Sequence, residues 1–294
     1  MTLDRPRRTP PEEDHPSAAG HLLAFFALTF AVTWTFFIAA AALSGALPAG
    51  TAPALGLQAL ILLGTFAPAF VAVGLTARAT GRAGVLALLR PLFQSDVRAR
   101  WYVFAAGYMI GIKLTVALAH RLVTGAWPRF GVEPWYVMAA ATVFSTLIGG
   151  QAGEEIGWRG YALPRLTARF GLGGASIVLG VIWATWHLPL FYLHGVDTYG
   201  QSFPAYLLQT TTLSVAMAWL YWRTHGSLLL VMFMHAAINN TKDIVPSVAR
   251  APTNPFVPTA SLTSWLGVGV LWLAAACFLV GMRRARLHSP EPHG

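Results

Sequence analysis

The sequence predicts an all-α, polytopic membrane protein of about eight transmembrane helices, and three observations predict it. Hydrophobic residues make up 55% of the chain and charged ones only 11%, against roughly a quarter charged in a soluble domain. Mean hydropathy is +0.56. Apolar stretches near the ~20 residues needed to cross ~30 Å of hydrocarbon recur from one end of the chain to the other.

Apolar runs, read against Pro, Gly and charged breaks, place the spans at 21–45, 54–77, 101–124, 135–162, 175–194, 203–223, 227–245 and 262–282. The first lacks the small-residue cleavage site of a signal peptide and is too long for one. The fourth is the least apolar, carrying Gln151, Glu154, Glu155 and Arg159. Pro164 and the glycines at 171, 173 and 174 are expected to end it, and Pro246 to close the seventh. Residues 1–20, polar and proline-containing, are expected to be a disordered cytoplasmic tail. Residues 21–283 form the membrane domain, and 284–294 a basic cytoplasmic tail. No internal repeat of the kind that builds an inverted-repeat transporter is visible.

A net charge of +9 raises nucleic acid as a partner, but the basic residues are spread over the segments between spans. There they set topology and meet anionic lipid head groups, so membrane lipids are the expected partner and nucleic acid is not. With the N-terminus inside, 15 of the 20 Lys and Arg fall on the inner side and 4 on the outer, with Lys113 inside the third span. That asymmetry predicts cytoplasmic termini and an even number of spans. The Ala- and Arg-rich, Lys-poor composition suggests a high-GC bacterial genome and thus an inner (plasma) membrane. Cys277 is the single cysteine, so no intramolecular disulfide or Cys-based metal site can form.

An ionisable group at membrane depth is costly and marks function by default. Glu154 and Glu155 are the only acids expected there; the deep histidines are His187 and His235, with Asn239 beside them. At 1.5 Å per residue, Glu154 lies ~13 Å, His187 ~18 Å, and His235 and Asn239 ~12–18 Å from the cytoplasmic ends of their spans. Three helices thus carry their rare polar groups to one layer. Glu155 and Arg159 are spaced i, i+4 and can pair, while Glu154 points about 100° away. His235 and Asn239 share one face of the seventh span, and Trp183 and His187 one face of the fifth. Lys113 stands alone, with no partner readable from the sequence. His194 and His225, near span ends, read as interfacial.

A carboxylate with a histidine can deprotonate a water, and a second histidine with an amide can stabilise an oxyanion. The same Glu154, His187 and His235 could instead hold Zn2+ with an open position for water. Two non-hydrolytic readings remain: a peptide-binding membrane partner or scaffold, and a proton-coupled transporter using the glutamates as a relay.

Glu154-Glu155-Ile156-Gly157-Trp158-Arg159 reads as EExxxR. Trp183-Ala184-Thr185-Trp186-His187 is an aromatic-xxx-His motif with Trp where Phe is commoner, and His235-Ala236-Ala237-Ile238-Asn239 reads as HxxxN. In this order, over residues 135–245, they resemble the CAAX-protease and bacteriocin-processing (CPBP, or Abi) family of intramembrane peptidases. The resemblance implies a CAAX-protease-like helical bundle with a cavity facing the cytoplasm and inner leaflet. It implies that Glu154 and His187 activate water, that His235 and Asn239 stabilise the oxyanion, and that Glu155, Arg159 and Trp183 support the site. It implies a peptide or lipidated-protein substrate, and it leaves open whether the enzyme is a zinc metallopeptidase or a metal-free glutamate peptidase. HExxH, a rhomboid-type GxSG and a deep aspartate pair are all missing from the sequence.

Overall fold

The computed structural model describes residues 18–46, 55–247, 254–258 and 260–287. Most of the two expected tails, residues 1–17 and 288–294, lies outside the described residues. Among the described residues there are nine α-helices and no strand. They are α1 (Ala18–Ala46), α2 (Leu55–Leu89), α3 (Ala99–Thr124), α4 (Trp135–Ile148), α5 (Gln151–Glu155), α6 (Leu163–Trp186), α7 (Phe203–Arg223), α8 (Leu228–Thr241) and α9 (Leu262–Leu287).

Among the described residues, five helical stretches are long and apolar enough to cross a membrane: Gly20–Gly45, Leu55–Phe93, Ala99–Thr124, Gln151–Tyr192 and Leu262–Arg283. The chain is a polytopic integral membrane protein, and large apolar side chains such as Leu23, Val103, Leu147 and Leu273 are exposed on its outside. The helices that form differ in their bounds from the eight spans expected from hydropathy, and the reasons are local.

The expected fourth span breaks at Gly149, whose ψ of 177° is extended and stops α4. Helix restarts at Gln151 as α5 and passes through a π-helical segment, Ile156–Ala162, directly into α6. Pro164, expected to terminate, lies instead within the continuous helical run, directly after the π-helical segment. Gly171, at φ 64° and ψ 168°, breaks the helical backbone within α6, at the glycine stretch where the sequence places an end. The fourth and fifth expected spans are therefore redistributed into a short α4 and one kinked run, Gln151–Tyr192. Likewise the helix of α2 runs past residue 77 and breaks at Gly81, where φ is 63° and ψ is −159°, before resuming to Leu89.

The fourteen-residue α8 is about 21 Å long, short of the ~30 Å hydrocarbon thickness. It does not need to face lipid. Ten of its residues are buried, because α3, α4, α5 and α7 pack around it. The buried polar side chains of α8, His235 and Thr241, are satisfied by protein, the condition for tolerating them at membrane depth. Ser227 caps it, its Oγ accepting from Leu230 N at 3.2 Å.

Close backbone approach positions the remaining elements. A Cβ at Gly153 would lie 2.7 Å from Phe66 Cα, so α5 can rest on the backbone of α2 only as glycine. A Cβ at Gly180 would lie 2.7 Å from Thr211 Cα, and its absence lets α6 approach α7. Such small-residue contacts are how helices associate where lipid removes the hydrophobic drive. The Trp34 indole donates to Trp186 O at 3.1 Å, tying α1 to the end of α6.

Candidate active site

The glutamate pair lies where α5 becomes π-helical, a local widening that recurs at functional sites. Glu155 and Arg159 are both fully buried. Arg159 Nη1 donates to both Glu155 oxygens, at 2.9 and 3.0 Å, and its guanidinium lies 4.5 Å over the Trp183 ring. The i, i+4 pair read from the sequence is present. A third partner joins it: His235 Nδ1 donates to Glu155 Oε1 at 2.8 Å. Glu155 therefore bridges α5 to α8 as well as to the arginine.

Glu154 is buried but takes no part in that pair. Its Oε2 accepts the Trp183 indole N–H at 2.6 Å, and among the described residues no side chain bonds its other oxygen. His187 Nδ1 donates to the Trp183 carbonyl at 2.8 Å. The two residues expected to activate water are therefore not hydrogen-bonded to each other; both are held by Trp183. The same indole packs edge-on against His187 and His235, with centroids at 5.7 and 5.2 Å. A carbonyl and a carboxylate can only accept, so each imidazole carries a proton on Nδ1, and Nε2 is not used by these bonds.

His187 is not in mid-helix as the span at 175–194 predicted. It caps α6, where the chain tightens into the 3-10 segment Leu188–Tyr192. Its ring meets Trp186 at 4.6 Å and Tyr206 of α7 at 5.5 Å. Asn239 is exposed and bonds to none of the other site residues. Its neighbour Asn240 instead links α8 to α4, donating to Ser145 Oγ at 3.1 Å and to Ala236 O at 2.8 Å.

Lys113 has a structural account that the sequence could not supply. Its Nζ donates to Val245 O at 3.1 Å and Ser247 Oγ at 2.6 Å, fastening α3 to the segment after α8. Tyr206 and Trp186 were missed as neighbours of His187. Trp186 lies inside the motif and its i, i+3 spacing from Trp183 was a usable signal; Tyr206 arrives from another helix and left none.

Among the described residues no group of three or more His, Cys, Asp and Glu side chains is gathered so that it could hold a metal ion. Glu155 is taken up by Arg159 and His235, and Glu154, His187 and His235 do not assemble as a ligand set in this arrangement. What the cluster offers chemically is a buried carboxylate with one free oxygen and two imidazoles with free Nε2 atoms.

Residues 133–241 match the family model described as type II CAAX prenyl endopeptidase Rce1-like. The chain is also 27% identical to the CAAX prenyl protease 2 of Methanococcus maripaludis over 133 residues, covering 43% of this chain and 45% of that protein. The match thus spans less than half the length of this curated relative. Residues 133–241, which hold every side chain of the cluster, are similar to the type II CAAX prenyl endopeptidases, and the resemblance carried by the three motifs is borne out.

Proposed function

We propose that this protein is an intramembrane endopeptidase whose nucleophile is a water activated by Glu154 with His187. The observation that carries the proposal is the buried Glu154 carboxylate, fixed through one oxygen by Trp183 within the segment that matches the Rce1-like endopeptidases. The free oxygen of Glu154 accepts a proton from water as the water attacks the scissile carbonyl. His187, steered by its Nδ1–H bond to the Trp183 carbonyl, presents Nε2 to orient that water. His235, as an imidazolium held by Glu155, has its Nε2–H free to donate to the oxyanion, and the Asn239 amide is the second donor. The proton on Glu154 then passes to the leaving amine. Glu155 and Arg159 hold His235 and Trp183 in place.

The proposed substrate is a peptide or lipidated protein entering from the membrane. The proposed location is a bacterial inner membrane, on the strength of the Ala- and Arg-rich, Lys-poor composition, with both termini cytoplasmic, on the strength of the Lys and Arg asymmetry. Zinc has no assigned role, since the donors do not gather around one point. The test is cleavage of a fluorogenic lipidated peptide by the purified full chain in liposomes, with and without a chelator. Glu154→Gln and His187→Ala are each expected to lower kcat by about 10²–10⁴-fold, the range for general acid–base groups. Full activity in both folded variants would overturn the proposal.

A further inference from the structure

Away from the glutamate cluster, a cavity of about 1060 Å³ opens at the end of the bundle where α3 begins and α7 ends. Its lining includes Asp96, Arg98, Arg100, Trp101, Arg223 and His225, with apolar side chains of α6 and α9 completing the wall. Three arginines face one carboxylate. Among the described residues no ion pair takes up any of the three guanidiniums. Two of them lie on an aromatic face, with Arg100 5.1 Å and Arg223 5.2 Å from the Trp101 ring centroid. A stacked guanidinium keeps its edge N–H donors free, and that planar fork matches phosphate oxygens.

The two sides of the cavity are tied together. Gln94 Nε2 donates to Thr224 O at 3.0 Å, and Ser227 Oγ donates to Gln94 O at 2.7 Å. The turn between α7 and α8 is itself unusual. His225 is the one non-glycine residue with positive φ among the described residues, at 53°. A left-handed backbone normally favours glycine, so the turn holds a titratable side chain at the cavity despite its backbone preference.

We propose that this cavity binds the phosphate-bearing head group of an anionic membrane phospholipid. The membrane is the favoured source of the phosphate because ends of the spanning helices α3 and α9 form the walls. The volume also far exceeds a phosphate ion, leaving apolar wall for the glycerol and the first chain carbons. Arg98, Arg100 and Arg223 supply the donors.

The test compares retention of phosphatidylglycerol and phosphatidylcholine by the purified full chain, read by native mass spectrometry from mixed-lipid nanodiscs. The wild type is expected to prefer phosphatidylglycerol. Arg98→Gln, Arg100→Gln and Arg223→Gln are each expected to weaken that preference by about fivefold, the effect of one basic residue at an anionic surface. The triple variant should abolish it. The control Arg78→Gln/Arg82→Gln, which removes two exposed arginines of α2 outside this lining, should leave it unchanged. The single variants keep the test decisive if the triple variant fails to fold. Equal loss in the control would reduce the effect to diffuse surface charge and overturn the site. Displacement of the lipid by millimolar inorganic phosphate would overturn the lipid as its ligand. The readout is lipid retention without cleavage, so failure here is distinct from failure of the peptidase reading.

Discussion

The Trp183 indole N–H donates to Glu154 Oε2 at 2.6 Å, while the carbonyl of the same residue accepts His187 Nδ1 at 2.8 Å. One residue thereby orients both groups proposed to activate water. Phenylalanine at this position would keep a ring beneath Arg159 but would have no N–H to give. Trp183→Phe is expected to lower kcat about 10–100-fold, the usual effect of removing a group that orients a reacting side chain. KM and the unfolding temperature should change little. Steady-state kinetics beside thermal unfolding in detergent separates this from a packing defect, and an unchanged kcat would reject the positioning role.

Glu155 compensates a buried guanidinium and anchors His235 at once, so stability and activity should part company when it is replaced. Arg159→Met alone leaves the buried Glu155 carboxylate with His235 as its one partner and is expected to cost about 3 kcal/mol. Glu155→Leu combined with Arg159→Met removes both charges and should recover most of that stability. The double variant should still be inactive, because His235 has lost the acceptor that orients it. Active protein with wild-type kcat from the double variant would show that Glu155 serves the fold alone.

Lys113 offers the opposite separation. Its ammonium holds Val245 O and Ser247 Oγ and touches none of the proposed machinery. Lys113→Met should cost about 1.5–3 kcal/mol, the contribution of hydrogen bonds to a charged donor, with kcat of the folded fraction unchanged. Chemical denaturation with activity measured on the folded peak checks both halves. A kcat loss without destabilisation would place Lys113 in the chemistry.

Which parts of this molecule were legible in the sequence follows from the range of the interactions involved. The Glu155–Arg159 pair was readable because both residues lie one helical turn apart. The membrane class was readable because composition alone fixes it. The split of the expected span 135–162 was not, since hydropathy averages over the Gly149–Gly150 break and keeps no record of backbone angles. Pro164 does not stop the run for a related reason: it follows directly on the π-helical segment Ile156–Ala162, a backbone widening that hydropathy does not register. The His235–Glu155 bond spans 80 residues in sequence and could be anticipated only as shared depth. Depth matching named the helices that carry the cluster but assigned His235 no specific carboxylate. Asn239 was placed by helical spacing on the face of His235, yet spacing cannot say whether that position ends up against protein or exposed.

Glycine 153 gives the last prediction, because it sits beside Glu154 and against fixed backbone. A Cβ there would meet Phe66 Cα at 2.7 Å and Thr65 O at 2.9 Å, neither the end of a flexible side chain. Gly153→Ala should therefore push α5 away from α2, costing about 1–3 kcal/mol as overpacking does. It should also reduce kcat by moving the Glu154 carboxylate off the Trp183 N–H. Gly107 in α3 is the control: a Cβ there meets nothing within 4 Å. Gly107→Ala should leave kcat unchanged and add up to ~1 kcal/mol of stability through helix propensity. If the two variants behave alike in both measurements, the close approach at Gly153 does not set the position of Glu154, and the hydrogen bond from Trp183 must do so alone.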